Sequence, residues 1–275
     1  MIRAKGFKFM DVHIMNVYAP GSKYFLLGIE ESVSPKLRYK SLEMAGRNGS
    51  LIVKGGYEQK QIKVKLGIYG QGSIERNLNK RALLGNWLNK KDKLIFDDDP
   101  KLFYEAQILE AIGQTEGDIF NELTITFECS PFKYELYDDA TDYVIGTLDD
   151  VLISDMSGVL INTSTWIVTE PTIYPIVNNG NFDATLIIEL TGTGSSIAFT
   201  VGDTAFNYID LVDQTITIDS EKMIVYEGLD GSKTSKLTSF FGKFPILPIG
   251  DSNVSISGTF TNLSVKFQHR NTYIV

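Results

Sequence analysis

The chain has 275 residues, 43% hydrophobic and 22% charged, an ordinary globular composition that excludes intrinsic disorder. Its mean hydropathy of -0.04 and the lack of any apolar run near the roughly 20 residues of a spanning helix predict a soluble protein with no membrane span. A net charge of -8 and a pI near 4.9 remove the basic footprint of phosphate-dominated nucleic-acid binding, and a lone cysteine, Cys129, removes intrachain disulfides and paired-cysteine zinc or redox sites.

Residues 1–10 alternate basic and isolated apolar residues without the apolar core of a secretory signal, so synthesis in the cytoplasm is expected. Gly46-Arg47-Asn48-Gly49 places Asn-Gly between strand-like flanks, with Gly55-Gly56 close behind, which predicts a protruding hairpin over residues 46–56. Ile62, Val64 and Leu66 alternate with Gln61, Lys63 and Lys65, as a half-buried strand requires. Residues 73–91 carry a helical signal: Ser73 as cap, Glu75 in the first turn, and apolar Ile74, Leu78, Ala82, Leu84, Trp87 and Leu88 at helical spacing. The opposite face, with Arg76, Asn79, Lys80, Asn86 and Asn89, is expected in solvent, and Lys90, Lys91 and Lys93 are expected to complement the dipole at the helix C-terminus. Asp97-Asp98-Asp99-Pro100 between Leu94-Ile95-Phe96 and Leu102-Phe103-Tyr104 reads as a turn joining two strands. Leu123, Ile125, Phe127 and Cys129 alternate with Thr124, Thr126 and Glu128 as a further strand.

The acidic run at 135–150 and the Ser, Thr, Gly and Asn-rich strands after it set a domain boundary, giving units of 1–134 and 135–275. Gly192-Thr193-Gly194-Ser195 is expected to be a strand-connecting turn, and Asp219-Ser220-Glu221-Lys222 to join two strands of a hairpin. One helix among many strands predicts a mainly β protein of two sandwiches.

Catalytic, cofactor and metal sites are expected to be absent. His13 and His269 lie near opposite ends of the chain without a nucleophile motif. The three adjacent aspartates lack EF-hand spacing, and the 192–195 glycines lack the Lys and following helix of a phosphate loop. Trp166, Tyr174, Phe206 and Tyr208 are the aromatics that a sugar-binding second domain would present, although most are expected in the core.

The segments Glu43-Met44-Ala45-Gly46-Arg47-Asn48-Gly49-Ser50-Leu51, Tyr57, Trp87-Leu88, Leu94 to Tyr104 and Phe127-Glu128-Cys129-Ser130-Pro131-Phe132-Lys133-Tyr134 resemble, in order, the siphophage distal tail protein family. In the second half Glu170-Pro171-Thr172-Ile173, Ile218 to Met223 and Phe244-Pro245-Ile246-Leu247-Pro248-Ile249-Gly250 are similar to that family's C-terminal domain, and Phe132 stands where it often has Tyr. The resemblance implies an N-terminal β-sandwich with one α-helix and an extended hairpin, followed by a C-terminal galectin-like β-sandwich. It implies a non-enzymatic homo-hexameric ring at the distal end of a virion tail, assembled in the host cytoplasm. Its partners would be the tail tube protein, a tail-associated lysin or tip protein, and receptor-binding or other baseplate proteins, with DNA only passing through the channel. Arg47 and Tyr57 are the candidate oligomer-interface residues, and the acidic net charge suggests a channel wall that does not hold DNA. The alternative is a cell-wall carbohydrate-binding module of a phage tail.

Overall fold

The computed structural model describes residues 6–10, 12–15, 21–32, 34–43, 46, 48–116, 119–136, 151–154, 159–228 and 232–274. It is mainly β with one α-helix and divides into two compact units, Met1–Lys133 with Ile274–Val275, and Tyr134–Tyr273.

In the first unit β1 (Gly6–Phe9), β2 (Val12–Met15) and β3 (Tyr24–Glu31) precede β4 (Leu37–Glu43) and β5 (Ser50–Tyr57). Then come β6 (Lys60–Tyr69), α1 (Ser73–Trp87), β7 (Lys91–Phe96), β8 (Leu102–Glu116) and β9 (Phe120–Cys129), and the short β10 (Lys133–Glu135) begins at the last residue before the second unit. The main sheet runs β2-β1-β7-β8-β9-β6-β3, and β2 lies against β3, so the sheet curls until its two ends meet around the core. The predicted alternation is what builds that core: Ile62, Val64 and Leu66 pair across with Phe127, Ile125 and Leu123, all of them buried. Each such side chain contributes roughly 1.5–3 kcal/mol of burial. Phe7 and Phe9 close the core against Trp87 and Phe127, with the Phe9 and Phe127 centroids 4.9 Å apart. Asp97 to Pro100 form the turn between β7 and β8, as their sequence predicts.

The helix departs from expectation at both ends. Gly72, not Ser73, is the N-cap, and the side chain that serves the first turn is Glu75, which accepts from the Gln71 N–H at 2.6 Å. The helix stops at Trp87 because Leu88 is already extended and Asn89 is left-handed (φ 62°), a conformation Asn tolerates. No basic residue therefore lies in its last turn. Lys91 and Lys93 belong to β7 instead, Lys91 paired with Glu105 at 2.7 Å and Lys93 over the Phe103 ring.

The second unit contains β11 (Val151–Ser154), β12 (Val159–Val168), β13 (Thr172–Asn178), β14 (Ala184–Val201), β15 (Thr204–Asp219) and β16 (Ile224–Glu227). They are followed by β17 (Thr234–Ser235), β18 (Phe240–Gly242), β19 (Ile246–Leu247) and β20 (Gly250–His269). The order is β11-β12-β20-β14-β15-β16-β17, with β13 on β20, β18 on β15 and β19 on β14. The hairpin predicted around Asp219 is the β15–β16 connection, where Asp219 accepts from the Lys222 N–H at 3.0 Å.

Gly192 to Ser195 do not form a connecting turn. They are the irregular middle of β14, an 18-residue strand whose register against β15 and β20 shifts at Gly192/Thr193, Thr191/Thr193 and Gly194/Ser196. Each bulge adds an unpaired residue and so reverses which side chains face inward. Leu186, Ile188 and Leu190 are buried before it, Ile197, Phe199 and Val201 after it, and β20 switches likewise between Ile256 and Leu263. Both stretches of each long strand thereby reach one core. Of the acidic run read as the boundary, residues 137–150 lie outside the described residues.

Candidate functional site

Strands β4 and β5 form a sheet of their own, a ribbon that joins no other strand among the described residues. Register places Leu42 against Leu51 and Lys40 against Val53 on one face, with Ser41 against Ile52 on the other beside Tyr39. Tyr39 (61% exposed), Ile52 (63%) and Val53 (46%) make both faces apolar and open. A two-stranded ribbon is marginal alone, and this one is held at its base. Glu58 N–H donates to the Lys36 carbonyl, Arg38 Nε donates to the Gly55 carbonyl, and the Tyr57 ring meets Phe132 edge-on at 5.1 Å. Tyr57 is thus half-buried in the root of the ribbon, while Arg47 lies outside the described residues.

Helix α1 presents an inverted face in its first two turns, while farther along Trp87 is buried and Asn86 and Asn89 are exposed as expected. Ile74 is 77% exposed and Leu78 58%, whereas Arg76 and Asn79, expected in solvent, are buried with Leu83 and Trp87. The reason lies in the strand ends beneath the helix, whose polar groups need partners once covered. Arg76 Nε donates to Asn121 Oδ1 (3.0 Å), Asn79 Nδ2 donates to the Tyr69 carbonyl (2.9 Å), and Tyr24 OH donates to the Asn79 carbonyl (2.9 Å).

A buried polar network ties the first unit together. Lys60 Nζ donates to Glu31 Oε1 at 2.5 Å and to Tyr104 OH at 2.8 Å, and Tyr104 OH donates to the same Glu31 oxygen at 2.9 Å. Lys133 Nζ, also buried, sits 5.4 Å from the centroid of the Tyr104 ring and pairs with Asp99 at 2.7 Å. Burial, and then the Glu31 charge, push the Tyr104 hydroxyl far above the usual phenol range. The same two causes, in the same order, push the neighbouring Cys129 thiol up to about 12. These groups hold strands together and expose no reactive atom in a cleft.

The other chemical candidates do not converge. His13 Nε2 lies 2.8 Å from Asp97 Oδ1, and His269 is in the second unit, where burial lowers its pKa to about 4. Among the described residues no three His, Cys, Asp or Glu side chains gather as metal ligands would. Phe206 and Tyr208 are core residues, and Trp166 and Tyr174 stack on each other at 4.4 Å and 6° against that core. No helix among the described residues is long and apolar enough to cross a membrane.

Once the ribbon, the helix and the curled sheet are in place, residues 21–129, within the first unit, match the family described as phage tail protein RIFT-related domain. No curated protein matches the chain. Among solved structures, the chain is similar to the SPP1 Dit protein, described as a paradigm of the hub adsorption apparatus in phages that infect Gram-positive bacteria. That alignment covers 96% of this chain and 98% of that one at 12% identity with a TM-score of 0.59, a likeness of fold. Chains of the phage P2 baseplate in its activated conformation, with Ca and with Sr, align over 98% of both chains at 13% and 14% identity and TM-scores of 0.40 and 0.41.

Proposed function

We propose that the chain is the distal tail subunit of a siphophage-type tail, a structural, non-enzymatic protein. Six copies close into a ring that joins the tail tube to the tip protein and anchors receptor-binding or other baseplate proteins. The observation that carries this reading is the tail-protein domain match at 21–129 inside a chain whose whole fold, both units included, follows that of a hub protein. The second unit, read as galectin-like, faces outward to the adhesion proteins, and the β4–β5 ribbon reaches a neighbouring copy. A ring needs such a heterologous contact, one patch meeting a different patch on the next subunit.

The charge is unevenly spread. Residues 1–133 carry 20 Lys and Arg against 16 Asp and Glu, while residues 134–275 carry 6 against 18. The net acidity thus belongs to the second unit, and the whole-chain charge no longer supports an acidic channel wall if the first unit closes the ring. Negative-stain imaging of the purified chain at high concentration tests the reading. Sixfold rings with a central hole are expected, formed alone or on added tail tube protein. Single copies under both conditions would overturn it.

A further inference from the structure

The first unit carries two long ribbons of opposite character. Residues 36–57, which hold β4 and β5, contain five Lys and Arg and a single acid, Glu43. Residues 102–132, which hold β8 and β9, contain six Asp and Glu and neither Lys nor Arg. Both also show apolar side chains to solvent: Leu51, Ile52 and Val53 on the first, Leu109 (51% exposed), Ile112 (46%) and Ile119 (68%) on the second. Among the described residues the outer half of β8 has an open flank as well. Strand β7 accompanies β8 only from Phe103 to Gln107, so beyond Gln107 that edge has lost its β7 partner, while the other edge continues on β9.

We infer that the outer half of the β8–β9 ribbon is the surface on which the β4–β5 ribbon of a second copy docks. This rests on the assembly reading above and adds the receiving surface to it. Three observations converge on a second copy as the occupant. The charges are complementary within one sequence, so identical chains supply both partners. Two exposed apolar ribbons each need cover, and each offers it to the other. An open strand edge beside exposed Leu109 and Ile112 can add a strand, and both edges of the β4–β5 ribbon, which pair with no further strand among the described residues, can supply one. The contact is heterologous, basic ribbon on acidic ribbon, and therefore leaves an open chain of copies with an unused basic ribbon at one end and an unused acidic ribbon at the other until a ring closes.

Sedimentation velocity on the full chain tests this. Lys40 and Glu110 are exposed and neither has an ion pair among the described residues, so Lys40→Glu or Glu110→Lys alone turns attraction into repulsion. Each is expected to weaken self-association about tenfold or more at low salt, and the combined Lys40→Glu/Glu110→Lys chain is expected to regain most of it. Ile52→Ser, which removes apolar contact without changing the charge, is expected to weaken association with no rescue by Glu110→Lys. A wild-type chain that never associates, alone or with tail tube protein, would overturn the assembly reading and this inference together. Association that Lys40→Glu weakens but Glu110→Lys leaves unchanged would overturn the receiving surface alone.

Discussion

Lys60 decides much about the first unit. Its side chain is 1% exposed, whereas its partner Glu31 is 27% exposed, so the two halves of the pair are not equivalent. Glu31→Gln leaves an ammonium with no carboxylate and no access to water, and is expected to cost about 3–5 kcal/mol. Lys60→Met leaves a carboxylate that partly rehydrates, and is expected to cost less. Urea unfolding followed by Trp87 fluorescence, in a chain carrying Trp166→Phe, measures both. In the second unit, burial holds His269 near a pKa of about 4, below its unfolded value of about 6.5. The unfolded chain binds the proton first, so this contribution is complete above pH 6.5 and disappears as pH falls toward 4, to the extent of up to about 3 kcal/mol. Unfolding midpoints of the second unit, followed by Trp166, are expected to drop over that window in the wild type and less in His269→Gln. Lys60 was within reach of sequence reasoning, since it holds the inward phase shared by Ile62, Val64 and Leu66. Nothing local distinguished its partners, because Glu31 and Tyr104 come from strands 29 and 44 residues away.

At the scale of elements, period-2 strands and turn residues were legible, as was the C-terminal half of the helix, where Leu84 and Trp87 pack on the core; the phase of its first two turns was not. The β6 and β9 alternation, the Asp-Pro turn and the 46–49 hairpin all follow from local chemistry. The first two turns of α1 invert their apparent amphipathicity because the surface beneath them is made of strand ends whose polar groups need partners, a property of the fold and not of residues 73–91. Trp87→Ala is accordingly expected to cost about 3–5 kcal/mol, whereas Ile74→Lys and Leu78→Lys should alter stability by less than about 0.5 kcal/mol; calorimetry separates the two outcomes. The mid-strand bulges of the second unit were missed because glycine pairs mark turns and bulges alike. Gly258 shows how tightly that region is built: at φ 118° an added Cβ would lie 2.1 Å from the Ser196 carbonyl oxygen. Gly258→Ala is expected to destabilise the second unit by about 2–4 kcal/mol, seen as an earlier Trp166 transition with the Trp87 transition unmoved.

For the whole molecule, the resemblance of scattered segments to a tail-protein family anticipated the mainly β design better than any single element did. What sequence could not separate is a strand face covered by its own chain from one waiting for another, since both alternate in the same way. If assembly rests on the oppositely charged ribbons, raising salt from 50 to 500 mM should shift the wild type toward single copies, because exposed charge pairs are screened within about 10 Å at 0.1 M; unchanged sedimentation would point to apolar contact alone. The solitary cysteine has a practical corollary. Cys129 is 1% exposed with its thiol held near 12, and such a thiol is nearly silent to alkylating and cross-linking reagents near neutral pH. A cysteine introduced at Ser41 or Asn48 becomes the one reactive handle on an otherwise native background. The ribbon can then be tagged, measured or tethered to a neighbour without first stripping the protein of its own sulfur.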